Sequence, residues 1–357
     1  MASEISGKVM FANSVAAQGV TVRVFDQDAP GKGDDDLTLA PGISDAAGAF
    51  SVAYDPGRYL DFVNLPFLGL RRPAAPDAPL AGLRIPDPLD VLAPYLQFSY
   101  TFEGQPRTFS TALVPFQSQY YLPESQPVHF LPSQDGFKFA NLFPGVQLPF
   151  TIPFFPNMRR ITGDYGLCGG MSAAAADFFL DARPVPPATT PPNRGTVLYR
   201  YLFRRAMDSF AMGESVLRFA RWMALPDDGP QGVWRQTQPE LEKLRAALDQ
   251  HRLQPIGLVI TAGTTLSQIS QLVWSNHQVL AYRYASNPDG STDIYVYDPN
   301  SPGSDAAYLH TTPVPVGGGP DGPLSGAQCW PVGINITPSL VRGFFLMPYE
   351  PAEPPDL

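Results

Sequence analysis

The chain has 357 residues, a formal net charge of −9 and 24 Lys plus Arg, and at roughly 150 residues per domain this length points to about two domains. Its 41 prolines and 31 glycines, about a fifth of the chain, exceed the usual share but fall short of disordered chains, which predicts many turns and excludes a helical bundle. No Lys/Arg run is present that could neutralise several phosphates, which excludes nucleic acid as a partner.

The start, MASEISGKVMFANS, lacks a basic stretch followed by an apolar run and does not read as a secretory signal peptide. The longest uncharged, proline-free segment, 256–282, is interrupted by Thr, Ser, Gln, Asn and His, so no membrane span is expected. These features predict a soluble protein, either cytoplasmic or exported by a leaderless route. Cys168 and Cys329 are too few for a disulfide scaffold or a cysteine zinc site, and a single bridge between them stays open.

In chain order, EISGKVMFA and GVTVRVFD predict a half-buried antiparallel pair, because Val20, Val22 and Val24 alternate with Thr21 and Arg23. The loop that follows carries Asp26, Asp28, Asp34, Asp35 and Asp36, hard oxygen ligands suited to calcium. Their spacing is not that of an EF-hand, so a solvated acidic loop is the preferred reading. Gly48 precedes an alternating run through Phe50, Val52 and Tyr54, and PYLQFSYTFEGQPRTFSTALV predicts a hairpin turning at Glu103–Gly104.

This strand order, with the turn Ser44-Asp45-Ala46-Ala47-Gly48-Ala49-Phe50, resembles the transthyretin-like β-sandwich modules over residues 4–60 and 95–130. The resemblance implies a seven-stranded accessory domain across 1–130 that binds or scaffolds. Residues 131–160, rich in Pro and aromatics without periodicity, predict a linker packed on the surface of the next domain.

Helical spacing begins after 165. CGGMSAAAADFFLD carries Met171, Ala174, Ala175 and Phe178, RGTVLYRYLFRRAMDSF carries Leu198, Leu202 and Ala206, and GESVLRFARWMAL adds a third helix. A fourth opens with the capping box Thr237-Gln238-Pro239-Glu240 and presents Leu241, Leu244 and Leu248. Strands return at PIGLVITA, HQVLAYRYA, DIYVYDPN and RGFFLMPYE, with NPDGS as a hairpin turn. Helices first and sheet last across 161–350 predict an α+β domain, with 351–357 as a tail.

Three fragments carry chemistry: GDYGLCGGMS, SNHQVLAYRY and YVYDPNSPG. Cys168 falls at a predicted helix N-terminus, where free N–H groups and the helix dipole stabilise a thiolate. Gly169 and Gly170, lacking side chains, would let a substrate carbonyl reach the sulfur and an oxyanion hole. His277 opens a strand and can serve as the base, while Asp298 or Asn300 can orient its ring. Trp274 and Trp330 are candidates to line the cleft. His129, His251 and His310 fall in loops or at a helix end, and no histidine spacing suggests a metal site.

The order of a Cys-headed helix, a His strand, a hairpin and a strand ending in Asp-Pro resembles the papain-like cysteine peptidases across 150–350. It is most similar to bacterial peptidase domains of the double-glycine-leader type. The resemblance implies a peptide or protein substrate, a thioester intermediate, and no cofactor or metal. It also implies Cys168 as nucleophile, His277 as general base and acid, and Asp298 as orienter. The family often places a Gln donor about six residues before the nucleophile, where this chain has Thr162. The second oxyanion donor is then open among Asn157, Thr162, Tyr165 and a backbone amide. Two rival readings remain: a transglutaminase- or deamidase-like acyl transferase on the same triad, and a catalytically inactive binding or assembly protein.

Overall fold

The computed structural model describes residues 2–27, 34–58, 62–65, 83–86, 92–113, 117–126, 129–143, 166–319, 322–336 and 340–357. By their internal contacts the residues divide into two units, 1–12 with 16–124 and 13–15 with 125–357. The chain as a whole mixes α and β structure in several sheets.

In the first unit the strands are β1 (Ser3–Met10), β2 (Thr21–Asp26), β3 (Asp35–Asp36), β4 (Thr38–Ala40), β5 (Gly42–Ile43), β6 (Ala49–Tyr54), β7 (Phe62–Leu65), β8 (Leu83–Pro86), β9 (Pro94–Phe102), β10 (Gln105–Ala112) and β11 (Gln119–Tyr121). One sheet runs β11-β1-β6-β4 and another β10-β9-β2-β3, with β5 added to β2 and a separate β7-β8 pair. The expected pairing of β1 with β2 is therefore corrected: β1 joins β6 and β11, and β2 joins β9. Period-two alternation fixes which face of a strand is buried and leaves its neighbour undetermined. Phe98 on β9 meets Phe50 on β6 at 6.0 Å and Tyr120 on β11 at 5.4 Å, so the buried faces of these two sheets pack on each other.

Two turns follow the sequence closely. Asp45 Oδ1 accepts the Ala47 and Ala49 N–H groups at 2.9 Å, and Gly48 sits at φ +75, where a side chain is strained. Glu103 and Gly104 both have positive φ, 49° and 75°, the requirement of a tight two-residue hairpin. The acidic loop differs from the solvated reading. Asp26 is buried and accepts the Ala93 N–H at 2.5 Å, Asp34 accepts the Tyr95 hydroxyl at 2.7 Å, and Asp36 pairs with Arg23 at 2.9 Å. Asp28 lies outside the described residues. Among the described residues no group of three or more His, Cys, Asp or Glu side chains is placed to hold a metal.

The second unit contains α1 (Pro132–Asp135), α2 (Cys168–Leu180), α3 (Val197–Ser209), α4 (Glu214–Met223), α5 (Val233–Asp249), β12 (Gln254–Val259), α6 (Leu266–Leu272), β13 (His277–Ser286), β14 (Thr292–Tyr297), β15 (Tyr308–Gly319), β16 (Gly322–Val332) and β17 (Gly343–Leu346). Its sheet is antiparallel throughout, in the order β16-β15-β14-β13-β12-β17. Both faces are covered. Leu280 and Tyr282 of β13 join the core formed with α2, α3 and α4, while Val279 and Ala281 join the core with Leu241, Leu244 and Leu248 of α5. A strand buried on both faces cannot slip by one residue without moving both cores, which fixes the register of its first residue, His277.

Several expectations for this unit are corrected. Residues 131–143 do not form a surface linker, because Phe137, Phe139 and Phe143 are buried in the core with α2; 144–160 lies outside the described residues. The fourth helix begins at Val233, four residues before the expected cap. Thr237 is buried and its hydroxyl donates to the Val233 carbonyl at 2.8 Å. Burial of Val233 and Thr237 in line with Leu241 extends the apolar stripe and outweighs the local cap signal. His310, expected in a loop, lies on β15 and its Nδ1 meets Asp293 at 2.6 Å. The long β15–β16 hairpin escapes sequence reading because β15 contains Pro313 and Pro315. Pairing with β14 stops at Thr311, so both prolines sit where β15 has a neighbour on one side only and a missing N–H is tolerated.

The segment 351–357 is tied down at several points. The Ala352 N–H donates to Asp177 at 3.0 Å, and Arg183 donates to the Pro354 and Pro355 carbonyls. Asp177, buried in α2, is also held by Arg205 at 2.7 Å and the Tyr201 hydroxyl at 2.8 Å. Cys168 and Cys329 are both free thiols, and Cys329 is buried on β16, where desolvation pushes its pKa up. No helix among the described residues is long and apolar enough to cross a membrane.

Candidate active site

Cys168 is the first residue of α2, and the N-cap, Leu167, supplies no side-chain acceptor. The first-turn N–H groups therefore keep their positive field at the sulfur. The N-terminus is held from behind by Asn141: its side-chain oxygen accepts the Leu167 N–H at 3.0 Å, and its own N–H donates to the Pro299 carbonyl at 2.9 Å. One residue thus ties the start of α2 to the turn after β14. Asn141 was invisible to the sequence because it belongs to the stretch that lacks periodicity.

His277 and Asp298 are both buried, and His277 Nε2 lies 2.7 Å from Asp298 Oδ1. Burial alone would lower the imidazole pKa. The Asp298 charge and hydrogen bond, with a further contribution from Cys168, reverse this and bring it up to about 10. Asp298 in turn has its pKa lowered: desolvation opposes its charge, and His277 with two backbone donors outweighs the penalty. Those donors are Asn300 N–H to Oδ1 at 2.9 Å and Asn335 N–H to Oδ2 at 2.8 Å. The choice between Asp298 and Asn300 is thereby resolved geometrically. Asp298 holds the ring, while the Asn300 side chain turns away and donates to the Asn335 carbonyl at 3.1 Å. Asn300 serves the site through its backbone.

The glycines do different work from that expected. A Cβ on Gly169 would overlap the Gln278 and Ser209 side chains, and one on Gly170 would strike the Leu202 carbonyl of α3. Both glycines are buried, so they let α3 and β13 approach α2 closely and do not open the sulfur to substrate. On its other side Cys168 borders a small pocket of about 30 Å³, lined also by Phe210, Val216, Phe219, Val273, Trp274, Asn276 and Gln278. Trp274 is half-buried and meets Phe210 edge-on at 5.9 Å, as expected of a cleft-lining residue. Trp330 lies on β16 and is 45% exposed, outside this pocket. Tyr165, Asn157 and Thr162 lie outside the described residues.

The structure thus brings Cys168, His277, Asp298 and Trp274 to one place and adds Asn141, Asn335 and Gln278. No family model matches the chain, and no curated protein matches it. Among solved structures, a 9R-lipoxygenase from Cyanothece PCC8801 matches at 14% identity and a TM-score of 0.19, covering 84% of this chain and 40% of that one. The chain therefore spans less than half of that protein's length, and a likeness at this score carries no structural argument.

Proposed function

We propose that the protein is a papain-like cysteine hydrolase that cleaves amide bonds of a peptide or protein through a Cys168–His277–Asp298 triad. The observation that carries this reading is the position of the His277 ring, locked at Nε2 by Asp298 at 2.7 Å and in electrostatic contact with Cys168. Because Nε2 is committed, Nδ1 is the nitrogen that exchanges a proton with sulfur. An imidazole with a pKa near 10 stays protonated at neutral pH and stabilises a neighbouring thiolate.

In the proposed reaction the Cys168 thiolate attacks the amide carbonyl carbon, and the developing oxyanion is met by the Cys168 N–H at the positive end of α2. The C–N bond breaks as His277 gives its proton to the leaving amine, which leaves a thioester. Water then attacks, His277 takes its proton, and the acid leaves while the thiolate–imidazolium pair is restored. The first unit, in this reading, is a transthyretin-like accessory module.

The test is hydrolysis of a fluorogenic peptide library by the native protein and by Cys168→Ala. Turnover that disappears in the variant supports the reading, and equal turnover in both removes it. Ammonia release without chain cleavage would move the same triad to the deamidase class.

A further inference from the structure

We propose that the side chains of Asn300 and Asn335 form a clasp that positions Asp298, and through it the His277 ring, so that both asparagines are positioning residues of the triad. This inference rests on the proposed triad and adds the device that fixes its third member.

Asp298 follows β14 directly, and the chain then turns: the Ser301 N–H donates to the Asp298 carbonyl at 2.9 Å, and the Asn300 N–H donates to Oδ1 at 2.9 Å. Aspartate makes such turns on its own, so this half of the arrangement needs no functional account. The other half does. Oδ2 accepts the N–H of Asn335 at 2.8 Å, and Asn335 comes from the connection between β16 and β17, 37 residues further along. Oδ1 is meanwhile shared between His277 Nε2 at 2.7 Å and the Asn300 N–H. With both oxygens engaged, the carboxylate cannot turn about its Cβ–Cγ bond without breaking a charge-assisted hydrogen bond.

The neighbours of Asn335 bring it to this point. Ile334 is buried in the core against α5 and Ile336 packs on the same core, which anchors the segment on both sides of the donor. The two asparagines then hold each other. Asn300 Nδ2 donates to the Asn335 carbonyl at 3.1 Å, and Asn335 Nδ2 donates to the Asn300 carbonyl at 3.3 Å. Each side chain grips the backbone of the residue that supplies the other donor to Asp298, so the pair closes a ring across the carboxylate. Asn300 Oδ1 is left buried without a hydrogen-bond partner, an unfavourable arrangement that Ser or Gly in the same turn would avoid. The amide is therefore not there for the turn; its Nδ2 is what the arrangement uses. The titratable groups that face the ring are Asp298 and Cys168, and a carboxylate fixed at both oxygens keeps its charge and its hydrogen bond in line with Nε2.

The experiment uses the full chain and the variants Asn335→Ala, Asn300→Ala and the two together. Asn335 is exposed, so its truncation leaves the core intact, and a melting curve shows whether each variant has stayed folded. Two readouts are followed that a merely structural role would not move. One is the far-downfield proton resonance of the His277–Asp298 hydrogen bond, which reports its geometry. The other is the pH profile of Cys168 alkylation by iodoacetamide. In either single variant the resonance should shift or vanish through exchange. The alkylation midpoint should rise by about half to one pH unit, read as a rate about three to ten times slower on the acid limb. The double variant should lie close to either single one, because opening one arm opens the clasp. A folded Asn335→Ala protein with the native resonance and the native profile overturns the clasp and leaves the triad in place, as do single effects that add in full. If native Cys168 labels slowly and at the same rate as in His277→Ala, the triad fails and this inference fails with it.

Discussion

Asp298 lies 2.7 Å from Nε2 of His277 and is itself fixed by the N–H groups of Asn300 and Asn335. Three donors converge on one buried carboxylate, which keeps it ionised and keeps the ring in one orientation. The Asp298→Asn variant removes the charge and turns an amide NH2 toward at least one of these donors. It should bring the His277 pKa down from about 10 toward or below its ordinary value, and cost about 3–5 kcal/mol of stability, as when one partner of a buried pair is removed. Histidine NMR titration and urea unfolding read the two effects separately. An unshifted imidazole would remove Asp298 from its role.

Stability should carry the signature of the same pair. The folded-state pKa of His277 is raised, to about 10 from 6.5, so between these values the folded protein holds a proton that the unfolded chain releases. The contribution is complete below pH about 6.5 and is lost as pH rises through about 10, with a slope of at most about 1.4 kcal/mol per pH unit. Because the thiolate of the same pair has given up a proton, the net effect appears only above the ordinary thiol value of about 8.5: urea midpoints between pH about 8.5 and 10 should fall more steeply for the native protein than for His277→Gln. Parallel profiles would contradict the shift.

Gly170→Ala separates two opposing effects. Helix propensity alone favours Ala by about 1 kcal/mol, whereas the close approach of the Leu202 carbonyl makes an added methyl group cost about 1–3 kcal/mol through backbone displacement. The melting temperature should therefore drop. A rise would show that α2 and α3 are not held at this spacing.

Asn141→Ala should slow alkylation of Cys168, because the link from Leu167 to the Pro299 turn is lost. The stability loss should be about 1–3 kcal/mol, from an unpaired N–H at the helix start and the missing side chain. The informative readout is the pH profile of alkylation, which changes if Asn141 positions the thiol against the imidazole and only scales with stability if it is structural.

What the sequence revealed, and what it hid, follows from the range of each interaction. The β9–β10 hairpin was legible because its signal is local, alternating residues around Glu103–Gly104. The spans of α3 and α4 were legible because their buried residues recur at helical spacing. Cys168, His277 and Asp298 stand out as candidates in the sequence because each stands at the end of an element with a readable pattern. Gln278, Asn141 and Asn335 were not, since their roles depend on atoms far away in the chain: Gly169 for Gln278, Leu167 and Pro299 for Asn141, Asp298 for Asn335. The burial of Phe137 and Phe139 was missed for a related reason: neither belongs to a regular element, so no periodicity announces them.

The central claim is that His277 holds Cys168 as a thiolate, and its most direct test is the rate of iodoacetamide labelling at about pH 6, followed by intact mass, for the native protein beside His277→Ala. The account predicts rapid addition of a single group at Cys168 in the native protein, slowed by an order of magnitude or more in the variant, with the buried Cys329 unlabelled in both. Slow labelling of Cys168 at the same rate in both proteins would contradict it.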